Sequence, residues 1–322
     1  MLLYLIPILL LLVALACLAV CYVFSNIILF SRRQPVVRTP EELGLDYEEV
    51  EFPAVDGLTL RGWYIPAAPS GAADGDPAPV VILTHPMPFN RHGFIARNQG
   101  WLRLFKTDVD LLKMAAALQG AGYDVLTFDF RNHGESNAGL SGVGLTEFQD
   151  VLGAAAYVNK RHAPDQPQIG FVSFCMGANA TMVALSAGWE VLQNVSFLVA
   201  IQPVSALVFF RSYLSNVYGR LSLYLIPLVD RLVQWRGGFG LEEMSPLRYA
   251  RHIRVPTLYV QAWEDPWTEL SDIESFHEAT PGPNELWFIQ GKMGRFDAYN
   301  YVGDHPERIL AFARDHFLGQ ED

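Results

Sequence analysis

The sequence predicts an α/β protein with a doubly wound, mostly parallel sheet, carried behind one amino-terminal membrane-spanning helix. Three observations predict it. Between about residues 80 and 289, short apolar runs alternate with longer helical stretches, the order expected of parallel strands joined by crossover helices. Val80-Val81-Ile82-Leu83-Thr84 is apolar almost throughout rather than at every second residue, as strands covered on both faces are. No residue from Leu2 to Phe30 is charged.

That first block exceeds the roughly 20 apolar residues needed to cross a bilayer core. It lacks the basic start and short apolar core of a cleaved signal peptide. Arg32, Arg33 and Arg38 follow it and no Lys or Arg precedes it, so the chain should cross once with the soluble domain cytoplasmic. The expected divisions are an anchor at residues 1–31, a linker at 32–46, the soluble domain at 47–318 and a tail at 319–322.

Tyr47-Glu48-Glu49-Val50-Glu51-Phe52 alternates as a strand does, Asp56-Gly57 marks a hairpin turn, and residues 58–64 return. Residues 66–79, rich in Ala, Pro, Gly, Ser and Asp, read as a surface loop. The buried strand at residues 80–84 follows, then a helix over 108–119, a strand over 124–128 and a helix over 146–161. Strands over 168–174, 197–201, 257–260 and 286–289 come with intervening helices, and a last helix starts near Pro306. An aromatic and apolar stretch at about residues 205–241 breaks this rhythm. The loop after the last strand spans residues 291–301.

The net charge of −11 argues against nucleic acid, whose phosphates are held by clustered Lys and Arg. Phosphate-binding glycine fingerprints are missing, so no cofactor is expected, and no Cys/His cluster has metal-ligand spacing. Of three cysteines, Cys17 and Cys21 lie in the apolar block, which leaves Cys175 alone in the soluble part. A reducing compartment fits that usage.

Ser173-Phe174-Cys175-Met176-Gly177 joins an apolar strand to a small-residue helix start. A strand that turns sharply into a helix needs small residues two before and two after the apex. Centring on Cys175 puts Ser173 and Gly177 there, whereas centring on Ser173 puts the large Phe171 there. The spacing nominates the Cys175 thiol, with Ser173 as a support.

This run resembles the nucleophile elbow of the α/β-hydrolase superfamily, with cysteine replacing the commoner serine. Further features resemble that family: Thr84-His85-Pro86 at an oxyanion-loop position, the turn Asp129-Phe130-Arg131-Asn132-His133-Gly134-Glu135-Ser136, Val255-Pro256-Thr257-Leu258 leading to Asp265, and the closing helix at Pro306-Glu307. The resemblance implies the α/β-hydrolase fold over residues 47–318, with a helical lid at about 205–241. It implies Cys175 as nucleophile, Asp265 orienting a histidine (Glu264 a neighbouring substitute), and the Met176 and Met87 peptide N–H groups as an oxyanion hole. His85 and His92 flank that loop as candidates for substrate contact. The family's histidine is missing from residues 291–301, where Arg295 stands about in its place as a candidate substrate contact; an arginine cannot act as a base at neutral pH. His305 is the candidate base, and His133 reads as structural.

The expected activity is hydrolysis of an ester, lactone or thioester through a Cys175–His305–Asp265 triad and an acyl-enzyme, a reading to which dienelactone hydrolases are similar. Acyl transfer, as in polyester synthases, and non-catalytic ligand binding are the alternatives. The expected partners are a small apolar or acyl substrate and the membrane.

Overall fold

The structure is a computed structural model that describes residues 2–68, 77–99 and 105–317. The expected tail at 319–322 and most of the loop at 66–79 lie outside the described residues. The chain opens with α1 (Leu2–Phe30), then the hairpin β1 (Glu48–Pro53) and β2 (Thr59–Ile65), then β3 (Val80–Thr84) and the two-residue strands β4 (Gly93–Phe94) and β5 (Val109–Asp110). There follow α2 (Leu112–Gly120), β6 (Asp124–Phe128), α3 (Phe148–Arg161), β7 (Ile169–Phe174), α4 (Met176–Ser186) and β8 (Val195–Ile201). An insertion holds α5 (Ala206–Tyr218) and α6 (Ile226–Trp235), and α7 (Leu247–Ala250) leads back to β9 (Thr257–Ala262). α8 (Leu270–Ala279), β10 (Asn284–Ile289), α9 (Arg295–Asp304) and α10 (Glu307–Phe317) complete the order.

Eight strands form one sheet in the order β1-β2-β6-β3-β7-β8-β9-β10. β2 runs antiparallel to both neighbours and the other pairings are parallel. Because strand side chains alternate between faces, β3 serves two cores. Val81 and Leu83 join the core under α2, α9 and α10, while Val80 and Ile82 join the one under α3 and α4. This is the doubly wound α/β architecture expected from the alternation of apolar runs.

Two local expectations change. Residues 109–110 form β5, and α2 starts only at Leu112, whose N–H donates to Asp110 Oδ1 at 3.1 Å. The expected loop at 291–301 is largely α9. Phe296, Tyr299 and Val302, three residues apart, lie buried on one face of that helix and supply the packing that forms it.

α1 is long and apolar enough to cross a membrane. Its carboxy-terminal end packs into the domain: Cys21, Ile28 and Leu29 are buried in a third core with Phe210 and Tyr213 of α5 and Val229 and Val233 of α6. Arg236, just after α6, donates to Ser25 Oγ at 2.8 Å and Asn26 Oδ1 at 3.1 Å, with its guanidinium 4.6 Å from the Tyr22 ring centroid. The last turns of the apolar helix are therefore structural parts of the folded domain.

Candidate active site

Cys175 sits between β7 and α4 with φ 48° and ψ −111°, a left-handed backbone that a residue with a Cβ adopts only under constraint. The constraint is visible on both sides. The Cys175 N–H continues the β7–β8 ladder to the Ile201 carbonyl at 2.8 Å, and its own carbonyl accepts the Asn179 N–H at 2.9 Å to open α4. Gly177 is required by close approach, since a Cβ there would lie 2.4 Å from Thr84 Oγ1. The Ser173 hydroxyl is engaged with Thr181 Oγ1 at 3.0 Å inside the core, as befits a supporting residue.

Asp265 lies in the turn after β9. Its carboxylate accepts the Trp267 N–H at 3.0 Å, the Thr268 hydroxyl at 3.1 Å, the Gln261 amide at 3.3 Å and Arg295 Nη1 at 2.7 Å. The side chains of this Asp265–Arg295 pair are each 1% exposed. Arg295 starts α9 and also donates to the Gln202 carbonyl, while Gln202 Nε2 donates back to the Arg295 carbonyl at 2.8 Å. Gln202, at the end of β8, has φ 50°. Two left-handed residues, Cys175 and Gln202, thus terminate adjacent strands and aim at one guanidinium.

Burial alone would press the Arg295 guanidinium down, but the negative charge that Cys175 and Asp265 can carry beside it holds it well above its usual value, so it is a cation. Tyr299 follows one helical turn later on the same side of α9. Burial raises its phenol well above the usual range, Arg295 acting the other way, so it is a neutral hydroxyl. Its buried oxygen makes no hydrogen bond to another N or O atom among the described residues, Cys175 adds to the upward push, and Tyr299 lines the cavity that holds the thiol.

That cavity measures about 130 Å³ and is walled almost entirely by apolar side chains. Phe209, Phe210 and Tyr213 come from the insertion, Phe24, Ile27 and Ile28 from α1, and Met87 and Met176 from beside the thiol. The Met176 N–H opens α4, where no intrahelical acceptor exists. Among the described residues neither it nor the Met87 N–H has a protein acceptor.

The expected site residues divide accordingly. Cys175, Asp265, Arg295, Met176 and Met87 come together. His305 does not join them: it caps the carboxy-terminus of α9, exposed, with its ring against Tyr301 at 4.6 Å. The long loop that would have carried it over the thiol is helix instead. His85 is turned into the core, its Nδ1–H donating to the Pro86 carbonyl at 2.9 Å and its Nε2 accepting the Phe130 N–H at 3.0 Å. His92 is buried, with Nε2 3.4 Å from the Pro35 carbonyl. Neither ring lines the cavity, so the structure does not bring these two expected substrate contacts to the thiol. Among the described residues no histidine lines the cavity, and no group of three or more His, Cys, Asp or Glu is placed to hold a metal ion. Tyr299 and Gln202 were missed from sequence. The signal for Tyr299 was the Arg295/Phe296/Tyr299/Val302 spacing, which reads as helix once residues 291–301 are not taken as loop.

A strained apex after a central parallel strand, an acid after β9 and an insertion that lines the cavity beside the apex mark the architecture. The chain has the α/β-hydrolase fold. A Pyrococcus furiosus esterase, Pf2001, superposes on it with a TM-score of 0.61 at 22% identity, covering 90% of this chain and 97% of the esterase chain, a match that speaks to fold. In sequence the chain is similar to the uncharacterized protein YqkD of Bacillus subtilis, at 26% identity over 85% of this chain and 86% of YqkD. It is also similar to the polyketide transferase af380 of Aspergillus fumigatus, at 23% identity over 84% of this chain and 99% of af380. No family model matches the chain.

Proposed function

We propose that this α/β-hydrolase-fold protein is a membrane-anchored acyl-transfer enzyme, in which Cys175 takes the acyl group of a thioester or activated ester and holds it as a covalent intermediate. The observation that carries the reading is the buried Arg295–Asp265 pair beside Cys175, in the place where a histidine base would stand.

The chemistry follows from what a guanidinium does and does not do. It cannot take a proton, so it cannot activate water or an alcohol. It supplies fixed positive charge beside the sulfur, to which the start of α4 adds its own partial charge. Cys175 reacts as the thiolate, having released its proton to solvent. The sulfur attacks the donor carbonyl, and the Met176 and Met87 N–H groups receive the developing oxyanion. The donor's C–S bond then breaks, the new C–S bond to Cys175 remains, and the donor thiolate departs without needing a general acid. Tyr299 donates its O–H to the acyl oxygen. Asp265 neutralises Arg295 in the low-dielectric interior and fixes its direction.

Release obeys the same limit. Water needs a base, and among the described residues no histidine lines the cavity to act as one, so hydrolysis is slow, and the acyl group passes to an acceptor that arrives already ionised, such as a second thiol. The polyketide transferase similarity supports transfer over hydrolysis, and the apolar cavity supports a hydrocarbon acyl group. Arg32, Arg33 and Arg38 beyond α1 support a cytoplasmic domain.

The test is mass spectrometry of the detergent-solubilised protein mixed with octanoyl-N-acetylcysteamine. An octanoyl adduct on Cys175 that persists for minutes, and is missing in Cys175→Ala, is the expected result. A protein that remains unmodified and turns over no thioester overturns the reading.

A further inference from the structure

The wall of the Cys175 cavity contains the end of the membrane helix itself, through Phe24, Ile27 and Ile28. A second groove, of about 420 Å³, lies beside it along α1. Phe24 and Ile27 line both spaces, and the groove then runs between Ala19 and Val23 of α1 and Leu214 and Val229 of the insertion. Polar surface is almost missing along this path, and Ser222, whose hydroxyl is used on the Leu214 and Gly219 carbonyls, adds none that is free.

The depth of the groove follows from α1. Its residues from Ile6 to Val20 are largely exposed, and burial against the domain begins at Cys21. At 1.5 Å per residue, about 20 residues cross the hydrocarbon. The boundary of the bilayer therefore falls near residues 20–23, and the lower mouth of the groove, at Ala19, lies within hydrocarbon. The insertion agrees. Leu221, Tyr224 and Trp235 of the insertion are 82%, 82% and 84% exposed, and the chain neighbours of the latter two meet α1, the Leu225 carbonyl at Cys21 Sγ and Arg236 at Ser25 and Asn26. Aromatic residues of this kind settle at the level of lipid headgroups.

We infer that the groove between α1 and the insertion is a lateral entrance through which the hydrocarbon chain of a bilayer-dissolved acyl donor reaches Cys175. The inference rests on the proposed acyl-accepting role of Cys175 and on α1 spanning the membrane. The chain slides up the groove with its carbonyl end leading, past Phe24 and Ile27, while its tail stays in the bilayer. The donor never has to enter water, which explains why an anchor helix is packed into a catalytic cavity rather than tethered by a loose linker.

The test uses full-length protein in phosphatidylcholine vesicles and two alkylating probes of the same reactivity, water-soluble iodoacetamide and bilayer-dissolved N-hexadecyl iodoacetamide. Labelling at Cys175 is followed by peptide mass spectrometry, which separates it from Cys17 and Cys21. Val23→Trp fills the groove without lining the cavity. It should slow hexadecyl labelling at least tenfold and leave iodoacetamide labelling within twofold, whereas Leu12→Trp on the exposed part of α1 changes neither. Unaltered hexadecyl labelling in Val23→Trp overturns the entrance. If Val23→Trp lowers both labels, Ala19→Trp, deeper in the same groove, decides by the same ratio. Failure of both probes to label wild-type Cys175 removes the acyl-acceptor reading, and the entrance with it.

Discussion

Arg295 explains more about this site than the thiol does. A guanidinium on a side chain that is 1% exposed is tolerated because Asp265 meets it at 2.7 Å and the Gln202 carbonyl takes a second N–H. Removing the cation alone leaves a buried carboxylate unpaired, a loss of about 3–5 kcal/mol for pairs of this kind. Arg295→Ala would therefore confuse folding with chemistry, and Arg295→His is the informative change. An imidazole there can donate to Asp265 and accept from Cys175, which supplies the base the wild type lacks. The octanoyl adduct should then hydrolyse roughly 10²-fold faster or more, the usual scale of general-base catalysis. Its rate should gain a pH limb near the ordinary histidine value, about 6.5, and Asp265→Asn in that background should remove most of the gain. An adduct as long-lived in Arg295→His as in wild type would mean that release is not limited by a missing base.

At the scale of elements, the strand–turn–helix of β7 and α4 was legible from sequence because its constraint is local: small residues flank one apex. The Gly177 position shows how tight that constraint is. Gly177→Ala would bring a Cβ to 2.4 Å from Thr84 Oγ1 and 2.9 Å from the His85 carbonyl. Overpacking of this type costs about 1–3 kcal/mol, and here it also pushes on the strand end that leads to Met87. Gly120, at the end of α2, meets nothing within 4 Å, so Gly120→Ala should raise stability by about 0.4–1 kcal/mol. Opposite shifts of the thermal midpoint are the expected pair, and equal shifts would show the elbow to be looser than its geometry. The sheet was legible for a similar reason, since β3 and β7 announce burial on both faces through composition alone. α9 was not. Its helix is stabilised by Phe296 against Phe89 at 4.9 Å and Phe105 at 4.8 Å, and by Tyr299 against Phe174 at 5.4 Å, partners remote in sequence. With the segment read as loop, His305 could be imagined over the thiol; with it helical, Arg295 is placed there instead. The docking of α1 was equally hidden, because an apolar stretch looks the same whether it faces lipid or α6.

In the whole molecule, Cys175 belongs to one core and Met176 to the next, while the insertion and α1 form a third, so the Cys175 turn lies where three packed regions meet. Behind it, His85 and His133 stack edge to face at 5.0 Å in the interior. Each ring has its Nδ1 on a carbonyl, that of Pro86 at 2.9 Å for His85 and that of Arg131 at 2.7 Å for His133. Burial, with smaller contributions from neighbouring groups, pushes both pKa values down to about 3. The sign of the consequence is fixed by linkage. Below about pH 6.5 the unfolded chain binds a proton at each histidine and the folded chain does not, so protons favour unfolding until the pH reaches the folded value. Each group then removes about 1.4 kcal/mol of stability per pH unit over that window. The net charge of −11 acts in the other direction, since acid relieves self-repulsion as the pH approaches the isoelectric point near 5.2. Surface charges are screened by salt and the buried rings are not, so at 0.15 M salt the histidines should win. Burial also pushes the His92 ring down, which adds to the fall, and pushes the Asp150 carboxyl up to about 7, which opposes it. The thermal midpoint in detergent micelles is expected to fall from pH 6.5 to 4.5, and His133→Gln should make the slope shallower. A midpoint that instead peaks near pH 5.2, or a slope indifferent to His133→Gln, would show that surface repulsion and not the buried imidazoles governs acid stability.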